Sequence, residues 1–275
     1  MNLLDYKKDL FSSTGNDGII EKIFNVLDIK NGFFVEFGAW DGIKGSNCRK
    51  LSLEDWSGIF IEADRLKFTQ LEYNYMRNEN IKCICSAIDC EANKFDNIVN
   101  DYIKGNIDFC SIDIDGLDLE IFESFEKFMP TVVCLEGGQM LEPNFKRVPE
   151  AVAKLNIQQS LGVINNSFEE KGYKLLCSYQ DSFFVKKELY DKFDVSTDLT
   201  ELYIDGLYAH HRRLPWIQAI IAQSNLKNKF IDYVLQQSNY SQYGYDNRKV
   251  WAVEQKDLAL TVINKLRDTE VQKNL

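Results

Sequence analysis

Between Phe33 and Phe184, short apolar runs alternate with longer amphipathic stretches, a pattern that predicts β-α-β units and a parallel sheet covered by helices. Strands are expected at Phe33 to Gly38, Gly58 to Ala63, Ile81 to Ala87, Ile107 to Asp113 and Thr131 to Glu136. A helix over Gln158 to Glu170 stops at Gly172, and two more strands follow at Tyr173 to Cys177 and Ser182 to Val185. So short a link between them requires an antiparallel hairpin. Asn16 to Leu27 reads as a helix leading into the first strand. Beyond the sheet, Leu199, Leu202, Tyr203, Leu207, Ile217, Ile220 and Ile221 recur at helical spacing, and Val250 to Leu275 reads as a final helix. The pattern divides the chain into a sheet-bearing domain over 1–190 and a helical extension over 191–275. That extension packs on the core, caps a site or builds a homodimer interface, and the sequence does not choose among these.

Composition narrows the function classes. A net charge of -10 and a pI near 4.9 argue against nucleic acid, whose binding relies on clustered Lys and Arg releasing counterions. No apolar run approaches the roughly 18 residues of a membrane span, and the start lacks a leader's apolar stretch, so a cytoplasmic protein is expected. The seven cysteines include no C-x-x-C pair and lie mostly in strand-like runs, which reads as core packing. With two histidines in the chain, a zinc site is short of ligands.

The first strand should lead to a ligand, because open α/β sheets bind beyond the carboxyl ends of their strands. It runs into Glu36-Phe37-Gly38-Ala39-Trp40-Asp41-Gly42, an E-x-G-x-x-x-G turn without the G-x-G-x-x-G of dinucleotide folds. The second strand ends at Glu62, about 20 residues on, where such folds bind ribose hydroxyls. Acidic residues around the turn suit a sulfonium cofactor with its ammonium group better than a pyrophosphate.

The stretch from Gly15 to Tyr75, with Phe33 to Gly42, Ser46-Asn47 and Trp56 to Ala63, resembles the FkbM-type methyltransferases, and the likeness continues through Ile107 to Gly116 and ends near Val185. It departs at Cys48, where the family usually has Thr, and at Asp115, where it often has Glu. The resemblance implies a Rossmann-like class I methyltransferase fold: α/β, with a central seven-stranded, mostly parallel sheet closed by an antiparallel hairpin, plus the C-terminal helical extension. It implies S-adenosylmethionine as cofactor, bound by Glu36, Gly38, Asp41, Gly42, Asn47, Glu62, Ala63, Ala87 and Asp113. Glu36 and Gly38 would line the methionine part, Glu62 the ribose, and Ser86 to Asp89 the adenine. Asp89 reads equally well as a helix N-cap.

Spacing puts Asp113 and Asp115 on one side of an extended segment, while Glu136-Gly137-Gly138-Gln139 ends the fifth strand. Methyl transfer to a hydroxyl needs the acceptor aligned and its proton removed. One arrangement resembles the catechol-type O-methyltransferases, with Asp113 and Glu136 holding Mg²⁺. The other is metal-free, with Asp113 or a histidine as base and Asp115 positioning the substrate. Asp118 reads as the N-cap of a helix over Leu119 to Phe128. Tyr208 to Arg213 holds both histidines, so His210 is the candidate histidine base, and the same patch suits an anionic group. The expected function is O-methylation of a small polar acceptor, a sugar, sugar nucleotide or glycan unit. The rival readings are a noncatalytic cofactor-binding protein and a nicotinamide-dependent oxidoreductase, which the turn and hairpin disfavour.

Overall fold

A computed structural model describes residues 1–139, 141, 143–154 and 158–209. Its strands are β1 (Phe33–Phe37), β2 (Ser57–Glu62), β3 (Ile81–Cys85), β4 (Phe109–Ile112), β5 (Val132–Glu136), β6 (Tyr173–Ser178) and β7 (Asp181–Lys186). They form one seven-stranded sheet in the order β3-β2-β1-β4-β5-β7-β6. β1 to β5 run parallel, and β7 enters antiparallel between β5 and β6. It is a mixed seven-stranded sheet in an α/β arrangement, closed by the expected antiparallel hairpin. The helices are α1 (Asn16–Leu27), α2 (Arg49–Leu53), α3 (Arg65–Tyr75), α4 (Phe95–Val99), α5 (Asp118–Glu123), α6 (Glu150–Ala153), α7 (Leu161–Glu170) and α8 (Leu199–Ala209).

The central strands are apolar at nearly every position because helices cover both faces. On one face Val35, Phe37, Cys110 and Val133 pack with Phe95, Phe122, Phe125 and Phe168. Phe122 stacks on Phe168 at 3.6 Å and Phe168 on Phe184 at 3.7 Å. Each such ring contributes about 2–3 kcal/mol by leaving water. On the other face Phe34, Phe60 and Phe109 pack against Ile19, Ile23, Phe24 and Trp56. Since side chains alternate along a strand, Glu36 falls on the same face as Phe34, beside the amides that lead into α2.

Where element ends differ from the sequence pattern, local hydrogen bonds account for it. The helix expected from Gln158 begins at Leu161, because Ser160 accepts from the Val163 amide and caps it. α5 stops at Glu123 and does not reach Phe128, since the Asp96 carboxylate accepts from the amides of Glu126, Lys127 and Phe128. Asp118 is not the N-cap. It lies in the first turn of α5, and its carboxylate accepts from the preceding Ile114 and Gly116 amides at 2.7 and 2.9 Å. Asp89 caps no helix either: it accepts from Glu91 and Asn93 and so forms a turn, while α4 starts after Lys94. α8 packs on β6 and adds Leu202 and Tyr203 to the core. The rest of the expected extension, with His210, His211, Arg212 and Arg213, lies outside the described residues.

Candidate functional site

The strand order reverses between β1 and β4, so the chain leaves a crevice at their carboxyl ends. A cavity of about 560 Å³ occupies that crevice. It runs from the β1 turn and the end of β2 to the carboxylates after β4 and β5.

Glu36, Gly38, Ala39 and Trp40 of the β1 turn line the cavity. Gly38 has φ of 66°, and a Cβ there would stand 1.8 Å from the Asp113 carbonyl oxygen. The glycine lets the ends of β1 and β4 approach as closely as they do. Glu36 is buried; it accepts from Ser46 Oγ at 2.6 Å and from the Asn47 amide at 2.8 Å, which ties the loop before α2 to β1. Asp41, Gly42 and Asn47 do not line the cavity. Asp41 accepts from the Ile43 and Lys44 amides, and Gly42 packs under Tyr75, leaving no room for a Cβ. Asn47 donates to Ser111 Oγ and accepts from Asn16 in the interior.

Burial pushes the Glu36 carboxyl up to about 7, against the lowering effect of its hydrogen bonds. A carboxyl raised in this way stabilises the fold fully below its unfolded value near 4.5, and that contribution is lost as pH rises through the folded value. The thermal midpoint of the ligand-free protein is therefore expected to fall between pH 5.5 and pH 8. Glu36→Gln should flatten part of that fall in a calorimetric series; a wild-type midpoint independent of pH would contradict the burial argument.

Glu62 closes the other side of the turn. Its Oε2 accepts from the Trp40 amide and its Oε1 from the Asp64 amide, at 2.8 and 2.7 Å. Each oxygen keeps a lone pair for a ligand hydroxyl. Ala63 lies beside it, and Ser86, Ala87 and Ile88 after β3 form the adjoining wall.

At the far end, carboxylate oxygens of Asp113, Asp115 and Glu136 lie within 4.8 Å of one another. Asp113 lines the cavity and, like Asp115, is exposed to it. Desolvation and the charges of Glu136, Asp181, Asp118 and Asp115 push its carboxyl up. Glu136 is raised by burial and by Asp181, Asp118 and Asp115. Carboxylates this close repel one another unless one is protonated or a cation intervenes. Glu136 Oε2 is buried without a hydrogen-bond partner. Asp118, through Ile114 and Gly116, fixes the loop that carries Asp115, whose backbone takes φ of 59°.

Asp181 was absent from the sequence expectations, being a strand residue with no motif around it. It sits opposite Glu136 in the β5-β7 pairing and accepts from Asn16 Nδ2 at 2.7 Å and Thr14 Oγ1 at 3.4 Å. Tyr179 donates to Thr14 and Asn16. These bonds hold the N-terminal segment, which contributes Ser13 to the cavity wall.

No family model matches the chain, and no curated protein sequence matches it. Among solved structures, it is similar to the N-terminal domain of EvdMO1 with SAH bound, at 12% identity and TM-score 0.45, covering 64% of this chain and 82% of that one. It is also similar to a putative sarcosine dimethylglycine methyltransferase from Galdieria sulphuraria, at 12% identity and TM-score 0.43, covering 94% of this chain and 87% of that one. A putative RNA methyltransferase, PH1948 from Pyrococcus horikoshii, gives 13% identity and TM-score 0.41, covering 66% of this chain and 89% of that one. At these TM-scores the likenesses carry no weight for function.

Proposed function

We propose that the protein is an S-adenosylmethionine-dependent O-methyltransferase of the FkbM type, acting on a small polar acceptor of the sugar, sugar-nucleotide or glycan class. The observation that carries this reading is one cavity joining Glu62, at the end of β2, to the clustered carboxylates Asp113, Asp115 and Glu136. The cofactor, when bound, supplies an activated methyl group on a sulfonium. Glu62 anchors its ribose, and Ser86, Ala87 and Ile88 flank the base. The acceptor hydroxyl lies toward Asp113 and Asp115. With the cluster's proton resting on Glu136, ionised Asp113 is a stronger base than an ordinary carboxylate and takes the acceptor's proton while its neighbours hold the oxygen in line.

The same three carboxylates, with the unpartnered Glu136 oxygen, fit a hard divalent cation such as Mg²⁺. Asp113, Asp115 and Glu136 would hold it, and it would orient acceptor oxygens and lower their pKa. The 1–190 and 191–275 division belongs to the same proposal, with residues 191–275 completing the acceptor side or a dimer interface.

Calorimetric titration with S-adenosylmethionine, S-adenosylhomocysteine and NAD, with and without Mg²⁺, tests the reading. Both adenosyl ligands are expected to bind with Kd of about 1–100 μM, and NAD not at all. Preference for NAD, or no adenosyl binding by folded protein, would overturn it.

A further inference from the structure

Three non-glycine residues among those described have positive φ: Asp28, Trp40 and Asp115. Aspartate tolerates that region through its short polar side chain, whereas a bulky indole does not. Trp40 stands at 49°, and core packing does not compensate, because half of its surface (50%) is exposed. The backbone is held by the Trp40 amide donating to Glu62, the Ala39 amide to the Ile61 carbonyl at 3.2 Å and the Gly42 amide to the Ala39 carbonyl at 2.7 Å. Glycine at position 40 would satisfy the same turn without strain. Trp40 nevertheless lines the cavity with Glu62 and Lys67, and the Lys67 ammonium stands 4.7 Å from its ring centroid. Strain that the fold does not need, in a large aromatic on a cavity wall, marks a residue kept for what it touches in the ligand state.

We propose that Trp40 is a ligand-contacting residue whose indole, flanked by Lys67, forms the outer wall against which the adenosyl group anchored by Glu62 packs. This rests on the cofactor reading above. An aromatic wall suits a flat, uncharged nucleoside surface, which gains by stacking and by exclusion of water. Trp40 then sets preference for adenosyl ligands over those carrying only the amino-acid part.

The experiment measures thermal midpoint and calorimetric affinity for S-adenosylhomocysteine in wild type, Trp40→Gly and Trp40→Phe. Trp40→Gly is expected to bind about tenfold more weakly with a midpoint at or above wild type. Trp40→Phe should stay within about threefold of wild type, since it keeps a ring. Wild-type binding with Trp40→Gly within about twofold of it would overturn the Trp40 inference alone. A Trp40→Gly protein that loses its midpoint or fails to fold would also overturn it, because the indole would then be structural. Folded wild type that does not bind the ligand would overturn the cofactor reading, and this inference with it.

Discussion

Glu62→Ala is expected to weaken S-adenosylhomocysteine binding about 100-fold, or ~3 kcal/mol, the scale of two hydrogen bonds from a diol to a charged acceptor. The side chain also accepts from the Trp40 and Asp64 amides, so its removal frees the turn as well as the ligand. Both amides are only part-buried, and water replaces the carboxylate there at modest cost. The midpoint should therefore drop much less than the affinity. Glu62→Gln, which keeps one carbonyl acceptor, should fall between the two. Calorimetry on the three proteins decides the point: an alanine variant within about threefold of wild type would remove the ribose assignment.

The second large effect concerns stability. Gly38→Ala places a methyl group 1.8 Å from the Asp113 carbonyl oxygen at a residue with φ of 66°, where an L side chain is itself strained. Relief requires separating β1 from β4 at the switch point, and that separation dismantles the cavity. A loss of at least ~3 kcal/mol is expected, which for a domain of this size lowers the midpoint by roughly 6–12 °C. Gly105→Ala is the matched control, since a Cβ there meets nothing within 4 Å. If circular dichroism places the Gly38 variant within about 2 °C of wild type, the close approach has been misread.

The parts of the fold set by short-range patterning were legible from residue order. α1 was expected at Asn16 to Leu27 and lies there, because its apolar spacing and following turn are local signals. The seven strands and the antiparallel hairpin follow from apolar runs and link lengths in the same way. α5 was misjudged because what stops it is Asp96, a partner about 30 residues earlier that no window along the chain can reveal. The cavity-lining positions Glu36, Gly38, Glu62, Ala63, Ala87, Asp113, Asp115 and Glu136 were accessible from strand ends together with the FkbM resemblance. Asp41, Gly42 and Asn47 share the motif but hold the turn, cover Tyr75 and brace the interior. A motif marks residues that recur together without separating those that line a cavity from those that hold the loop. Asp181 and the φ of Trp40 were invisible, being consequences of tertiary pairing and backbone geometry.

The bonds from Thr14 and Asn16 to Asp181 span 167 and 165 residues. During synthesis, the segment with Thr14 and Asn16, which precedes every strand of the sheet, must wait for the last one, β7, before Ser13 can settle at the cavity rim. The five parallel strands can assemble beforehand, but the rim closes only by a long-range step of the kind that slows folding. A nascent chain released before β7 would have the β1 and β2 walls of its crevice in place with the Ser13 rim still open.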